Sequence, residues 1–561
     1  MKLKRAISII LLSFLIFSIV GCGNSDTPAA GTKEAAVAGS TVSTSSTASA
    51  DPFGKYAEPI ELTYAKKTTT NQTFPDGDNY DNNVWSRLIE EKLGIKLKIA
   101  WSADGDTDAY KNKLNVQLAS GDLPDLIEGD YKMISMANEA GLLADLAGAF
   151  DTYASPYVKN IREQYGLYFD VATLDGKLMA IPYIKDPVEI NSPLLWIRDD
   201  WMKKLGLDTP KTFNDVINIA EAFTNKDPDG NGKKDTYGLG VQQKLITGDF
   251  GDISGVAAAF GALTIEGGMW YRDDSGNIVN GSIQPQMKDA LKALQDMYNA
   301  GLIDKEFGIK DVNKLQEDVD KGKIGMMFGA NWNSFYPYAN ILKTNPEAIF
   351  KPYPVVSASD TAAKVAVSWP ITDYYAITSN CKNPEAVIKL LNLYGATNND
   401  EASAEAYEKY DNNNAWQLSP VCISDPQQFR YYKYIKDAID KNDGGSNMPN
   451  GPKTRYDQVM AFAQKGDPSG FGQWGQIGPE GSASVIQTNY IDQNRIVVTE
   501  LRGKEPEELV DKKATLEKIQ VQAFTEIIMG GDINLFDKFV KDWNDAGGAV
   551  ITKAINELYK K

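Results

Sequence analysis

The sequence predicts an α/β fold built as two lobes, on three observations. Strand-like and helix-like patterns alternate in two separate stretches, one opening near Glu61 and one near Leu194, which is the rhythm of parallel sheets with helical crossovers. The chain runs to 561 residues, well past the roughly 250 to 300 at which a single core stops growing. No self-similar period of roughly 20 to 50 residues stands out, which argues against a solenoid or a propeller.

The chain opens with Lys2, Lys4 and Arg5, runs apolar from Ala6 to Val20 and reaches Gly21-Cys22. A basic start, a short apolar core and a small residue before the cut mark an export signal, and the run falls short of the roughly 20 residues that span a bilayer. Residues 1–21 are expected to be removed. Ile19-Val20-Gly21-Cys22 resembles a lipobox, at which Cys22 takes a thioether-linked lipid and becomes the new N-terminus. From 22 to 58 Ser, Thr, Ala and Gly dominate. Such a stretch has too little apolar surface to fold and is expected to be a flexible tether.

The first α/β run begins with a strand at Leu62–Tyr64. Val84, Trp85, Leu88, Ile89 and Leu93 follow at helical spacing, and Ile95, Leu97, Ile99 and Trp101 at period two. Lys96 and Lys98 between the latter predict an edge strand with one wet face. A helix over Tyr110–Ala119 and a strand over Leu123–Ile127 continue the pattern. Ligands bind beyond the carboxyl ends of such strands, which nominates Glu128 and Asp130.

The second run starts at Leu194 and leads into a helix from Phe213 to Phe223, with Thr212 and Asp215 as its capping box. A helix over Pro285–Ala300 has Gly301 as its stop signal. Another opens at Asn383-Pro384-Glu385 and is expected to end at Gly395. Three amphipathic helices are expected between Leu516 and Tyr559. The two lobes are expected to comprise residues 59–187 with about 371–440, and 188–370 with about 441–561.

The formal net charge is −17, which argues against nucleic acid and anionic membrane surfaces as partners. Beyond Cys22 only Cys381 and Cys422 remain, too few for a disulfide framework. A single bridge and two buried thiols both stay open, two thiols being the expectation. Histidine is absent. That removes Ser-His-Asp and Cys-His catalysis, imidazole general bases and His-ligated zinc or iron. No P-loop or dinucleotide fingerprint is present.

One motif is chemically sharp. Asp227-Pro-Asp229-Gly-Asn231-Gly-Lys233-Lys-Asp235 places side-chain oxygens at loop positions 1, 3, 5 and 9, glycine at 6, and the Lys233 carbonyl at 7. This is the spacing of an EF-hand-type Ca2+ loop, in which alternate residues of a tight turn aim oxygens inward. Position 12, where a bidentate glutamate is expected, is Gly238. Tyr237–Val241 reads as a strand, so the loop is expected to brace a helix-to-strand junction and not to switch. The competing reading is an Asp/Asn/Gly turn that holds no metal.

Leu118-Ala-Ser-Gly-Asp-Leu-Pro-Asp125, Ile197-Arg-Asp-Asp-Trp-Met-Lys-Lys-Leu-Gly206, the 227–235 loop, Gly301-Leu-Ile-Asp304 and Gly322-Lys-Ile-Gly-Met326 stand in that order. Phe524-Thr-Glu-Ile-Ile-Met-Gly530 and Asp537–Trp543 complete the series. With these the chain resembles the family 1 extracellular solute-binding lipoproteins of ABC importers, in particular the alginate- and oligosaccharide-binding proteins that carry a calcium loop. The resemblance implies a periplasmic-binding-protein-like fold, with a hinge and a ligand cleft between the lobes. It further implies a saccharide ligand, ABC importer permease subunits as partners, a structural Ca2+ and no catalysis. A monomer is implied too, held on the extracellular face of a Gram-positive type membrane only by the Cys22 lipid. In related proteins an acidic residue just after the last aspartate can join the calcium ligands; here that position is Thr236.

Sugar rings stack their C–H faces on aromatic side chains, and their hydroxyls need carboxylates and amides. Trp270, Trp332, Trp369, Tyr374 and Trp474 are the aromatic candidates, with Asn331 and Asp373 as polar neighbours. Trp85, Trp201 and Trp543 lie on amphipathic helices and are assigned to the core. A peptide or another small solute is the alternative ligand for the same fold. A secreted glycosidase is the alternative of another class, but it needs two acids about 5 to 9.5 Å apart that no motif nominates.

Overall fold

The computed structural model describes residues 51–560 except 70, 71, 73, 106, 185–187, 189–191, 399–413, 424–426, 447 and 449. The export signal, Cys22 and the tether as far as residue 50 lie outside the described residues. Among the described residues two large hydrophobic cores are present, each around its own sheet.

The first sheet has five strands in the order Ile95–Asp104, Ile60–Thr68, Leu126–Gly129, Ile371–Ile377, Ile181–Ile184. The first three pair in parallel. Ile371–Ile377 returns from late in the chain and pairs antiparallel with both of its neighbours. Ile95–Asp104 is the edge, and Lys96 and Lys98 on it are exposed, as the lysine alternation predicts. The helix Val84–Leu93 starts at a reciprocal cap between Asn83 and Ser86 and stops at Gly94 in the left-handed region. It buries Trp85, whose ring stacks on Tyr394 at 5.4 Å.

The second sheet has the order Phe350–Tyr353, Leu194–Arg198, Ile324–Gly329, Tyr237–Leu239. Leu194–Arg198 is buried throughout, and Arg198 keeps its charge inside by pairing with Asp200 at 2.6 Å and lying 4.3 Å from the Trp201 ring. The Thr212–Asp215 capping box forms as expected. Gly301 follows the Pro285–Asn299 helix with φ 76°. The C-terminal part holds three helices, Glu507–Ile528, Leu535–Trp543 and Ala549–Leu558, the first starting earlier than the periodicity predicts. Trp201 and Trp543 join Trp85 in the core.

Three expectations need correction. Gly395 does not stop its helix, which runs Ala386–Asn398. A Cβ at Gly395 would lie 2.7 Å from the Tyr157 ring, so this glycine serves packing. Residues 51–58 are not tether: Tyr56 is buried and donates to Glu385 at 2.6 Å, and the Lys389 ammonium caps the carbonyls of Asp51 and Gly54. The helix Gln427–Lys441, assigned to the first lobe, clusters through Tyr431, Ile435 and Ala438 with Tyr456, Val459 and Ile477, beside the second core.

Residues 192–193 and 368–370 precede the first strand of the second sheet and the returning strand of the first. A buried amide network reaches Ser192. Asn331 bonds Gln428; Gln428 donates to Ser484 (2.8 Å) and Gln487 (3.1 Å); Gln487 donates to the Val188 carbonyl (2.7 Å) and Ser192 (2.9 Å).

Candidate functional site

The ends of the strands decide where a ligand can sit. Ile371–Ile377 runs against Leu126–Gly129 and Ile181–Ile184, so its first residues lie beside their last ones, Tyr374 opposite Gly129 and Ile371 opposite Ile184. In the second sheet Gly329, the last residue of its strand, pairs with Leu194, the first residue after a crossover. Both sheets thus bring strand carboxyl ends to the crossover segments, the place where α/β sheets bind ligands.

At the first sheet that place holds a charge cluster. The Lys67 ammonium lies 2.7 Å from Asp373 and 3.1 Å from Glu128, with all three side chains about one-fifth to one-quarter exposed. Burial alone would lower the Lys67 ammonium, but Glu128 and Asp373 outweigh it and hold it above its usual range. Burial pushes the Glu128 carboxyl up, Lys67 pulls it back, and Asp373 adds to the rise. Thr372 donates to the other Asp373 oxygen at 3.0 Å, and Tyr110 donates to the Glu128 carbonyl at 3.0 Å, its ring 5.3 Å from Lys67. Tyr183, half-buried, packs 6.0 Å from Tyr375. Nearby Tyr168 meets Trp369 edge-on at 4.9 Å, and Tyr131 meets Tyr374 at 6.3 Å.

The second sheet contributes aromatic surface. Beyond Gly329 come half-buried Trp332 and exposed Phe335 and Tyr336. Tyr336 packs edge-on against Phe250 at 5.6 Å, beside half-buried Asp249, whose carboxyl burial raises.

The candidates from sequence therefore divide. Glu128, Asp373 and Trp332 stand at the strand ends, and Trp369, just before the returning strand, is largely buried in the first core. Asp130 caps the helix Tyr131–Glu139, accepting from Met133 at 3.0 Å, with Lys111 at 3.7 Å. Asn331 is buried in the amide network. Trp270 is a core residue, 1% exposed and 6.2 Å from Trp543, because its hairpin is covered by the C-terminal helices. Tyr374 is likewise 1% exposed, covered by Tyr131 and the Gly503 loop. Trp474 lies in the second lobe against Phe462 and Phe471, on a cavity of about 530 Å³ with Tyr353 and Met460. Lys67, Tyr131, Tyr168, Phe335 and Tyr336 were missed. The one signal for Lys67 is the adjacent pair Lys66-Lys67 near the end of the strand Ile60–Thr68.

Loop 227–235 folds on itself. Asp227 (φ 47°), Gly230 and Gly232 take the left-handed region, and the Asp227 carboxylate accepts from the Asn231 and Gly232 N–H groups at 3.0 Å each. The Asn231 amide nitrogen donates to Asp229 (2.7 Å) and Asp235 (3.1 Å), so it stands between carboxylates. Burial raises the Asp229 carboxyl, and the charges of Asp235 and Asp227 add to the rise. Three carboxylates, an amide oxygen and a carbonyl suit a hard cation in kind and spacing. Among the described residues no three His, Cys, Asp or Glu side chains form a metal cage by themselves. Position 12 is closed to glutamate, since a Cβ at Gly238 would lie 2.4 Å from the Ala220 carbonyl. Thr236 is buried and donates to Phe223 instead. Cys381 and Cys422 are both free thiols, pushed up to about 11 by burial.

Residues 78–398, more than half of the chain, match the family model described as bacterial extracellular solute-binding protein. The chain belongs to this family. It is 30% identical over 251 residues to "Lipoprotein LipO" of Bacillus subtilis (strain 168), covering 44% of this chain and 46% of that one; the match thus spans about half of that relative's length. It is 26% identical over 425 residues to the "Fructooligosaccharide ABC transporter substrate-binding protein FusA" of Streptococcus pneumoniae serotype 4 (strain ATCC BAA-334 / TIGR4), covering 71% and 76%. The solved alginate-binding protein AlgQ2, described as "without calcium ion", superposes with a TM-score of 0.59 at 17% identity, over 92% of this chain and 100% of that one. The fold is that of the periplasmic binding proteins.

Proposed function

We propose that this chain is the substrate-binding component of an ABC importer, capturing an oligosaccharide between its lobes and handing it to the permease subunits. The observation that carries this reading is the pairing of carboxylates with aromatic rings at the strand ends of both sheets. Lys67, Glu128 and Asp373 stand with Tyr131, Tyr168 and Trp369 on one side of the crossovers. Asp249 stands with Trp332, Phe335 and Tyr336 on the other. Carboxylates accept sugar hydroxyls and aromatic faces stack on sugar C–H surfaces. Closure moves the lobes about residues 192–193 and 368–370, with the buried amide network of Asn331, Gln428, Ser484 and Gln487 as the pivot. Binding and release require no bond to be made or broken.

Loop 227–235 takes a Ca2+ in this reading, held by Asp227, Asp229, Asn231, the Lys233 carbonyl and Asp235. The ion neutralises the gathered carboxylates and braces the junction between the helix Phe213–Asn225 and the strand Tyr237–Leu239. Cys22 carries the lipid that keeps the monomer on the extracellular face of the membrane. Among the described residues no helix is long and apolar enough to cross a membrane.

The test is a thermal-shift and calorimetric screen of residues 51–561 against oligosaccharides and peptides. A ligand at 100 times its Kd stabilises by about 2.7 kcal/mol, so an oligosaccharide is expected to raise the melting temperature measurably. A shift with peptides alone would contradict the carbohydrate assignment and leave the importer reading standing. Consumption of the sugar would replace both with an enzyme.

A further inference from the structure

The second core borders a cavity that the strand-end clusters do not use. It measures about 320 Å³ and lies between the helix Glu507–Ile528 and the loops that carry Lys244, Ile246 and residues 265–268. Its lining includes no residue of the strand-end clusters. The walls are apolar, with Ile246, Ile265, Leu516 and Val521 around the rings of Trp270 and Trp543.

The buried polar groups of this lining are donors. Asn280 is 5% exposed. Its Oδ1 accepts from the Ser282 N–H at 3.0 Å, and its Nδ2 makes no hydrogen bond among the described residues. Trp270 is 1% exposed, and its Nε1–H is likewise without an acceptor. The two nitrogens flank one point. A Cβ on Gly268 would lie 3.4 Å from Asn280 Nδ2 and 3.5 Å from Trp270 Nε1, and beyond the adjoining residues it would meet nothing else within 4 Å. A Cβ on Gly267 would meet only Lys513, with its Nζ at 3.3 Å. Both glycines take the left-handed region, φ 78° and 96°, so the turn keeps side chains out of this space.

Buried N–H groups without a partner are rare, and a molecule that completes these must bring an acceptor. The charges at the rim do not select its sign. Lys244, Lys513 and Lys518 stand against Glu266 and Glu517, and Glu505 lies 3.3 Å from Lys513. An apolar cavity with a few placed polar groups is the usual form of a small-molecule site.

We propose that this cavity is a second ligand site, apart from the strand-end clusters, for a small apolar molecule that carries a carbonyl or carboxylate oxygen. The apolar body lies against Ile246, Leu516 and the tryptophan rings. The oxygen sits beside Gly268 and accepts from Asn280 Nδ2, with the Trp270 N–H next to it.

The test uses naphthylacetate, naphthylacetamide and naphthylethylamine, which share one ring system and differ in the polar end. Each is titrated into residues 51–561 by calorimetry and by ligand-observed NMR. The acid, the amide or both are expected to bind at least tenfold more tightly than the amine, which has no acceptor oxygen. Binding of the acid alone assigns a carboxylate ligand, and binding of the amide alone a neutral carbonyl compound.

Asn280→Asp keeps the oxygen that accepts from Ser282 and turns the free donor into an acceptor; it should weaken the acid and the amide at least tenfold. Ala514→Trp places a large ring on an exposed helix position that lines the cavity. It should abolish binding, and it decides the matter even if Asn280→Asp misfolds. Equal binding of all three probes, binding that survives Ala514→Trp, or no binding of any probe overturns the site. Each outcome is read without the oligosaccharide, so the carbohydrate reading stands or falls separately.

Discussion

Lys66 offers a stability prediction that can be worked through from its surroundings. Its side chain lies under the charge cluster, 5% exposed, with the ammonium donating to the Gln417 carbonyl at 2.6 Å and the Ser419 carbonyl at 3.4 Å. Burial lowers its pKa from 10.5 to about 8, with the charge of Glu128 opposing. For a lysine shifted downward the charged form is disfavoured in the folded state. The cost is therefore fully present below pH 8 and is relieved as pH rises from about 8 toward 10.5, where the unfolded chain still holds the proton and the folded chain has lost it. At about 1.4 kcal/mol per pH unit, the change from 10.5 to about 8 corresponds to about 3 kcal/mol. Lys66→Met removes the titration and keeps most of the volume. Urea unfolding followed by tryptophan fluorescence, on wild type and variant from pH 7 to 10.5, cancels the other titrating groups. The stability of wild type relative to the variant should climb by about 3 kcal/mol across that range. A difference that stays flat between pH 8 and 10.5 would refute the reasoning.

Three further outcomes follow from the packing and the cation loop. Gly255→Ala should destabilise by about 1 to 3 kcal/mol in thermal melts, although alanine is the better helix former, because the new Cβ would lie 2.0 Å from the Phe328 ring. Gln487→Leu removes the bond to the Val188 carbonyl and the one that Gln428 donates, at about 1 to 3 kcal/mol for a buried hydrogen bond broken from one side; an unchanged melting temperature would remove the network from the account. Millimolar Ca2+ should raise the melting temperature relative to EDTA, and Asp229→Ala should abolish that difference.

What the sequence disclosed and what it withheld divide by range. The edge strand with Lys96 and Lys98, the Thr212–Asp215 cap and the Gly301 stop rest on neighbours within a few residues, and the structure keeps each of them. Gly395 has a stop signal's identity, but Tyr157, more than 200 residues earlier, takes the space a side chain would need. Trp270 precedes a turn and looks available, yet the helix bearing Trp543 covers it from the far end of the chain. Lys67 carries no local sign of function beyond its neighbour Lys66, since its partners lie 61 and 306 residues away and the returning strand Ile371–Ile377 brings Asp373 to it. Glu128 was legible because the rule that names strand ends depends on the order of elements and not on distant contacts.

The most direct test of the central claim is small-angle X-ray scattering on residues 51–561, free and saturated with an oligosaccharide that calorimetry shows to bind. Capture between two lobes predicts a smaller radius of gyration in the bound sample and a return to the free value when the sugar is removed. A bound oligosaccharide that leaves the scattering curve unchanged would contradict the claim and assign the ligand to the surface of one lobe.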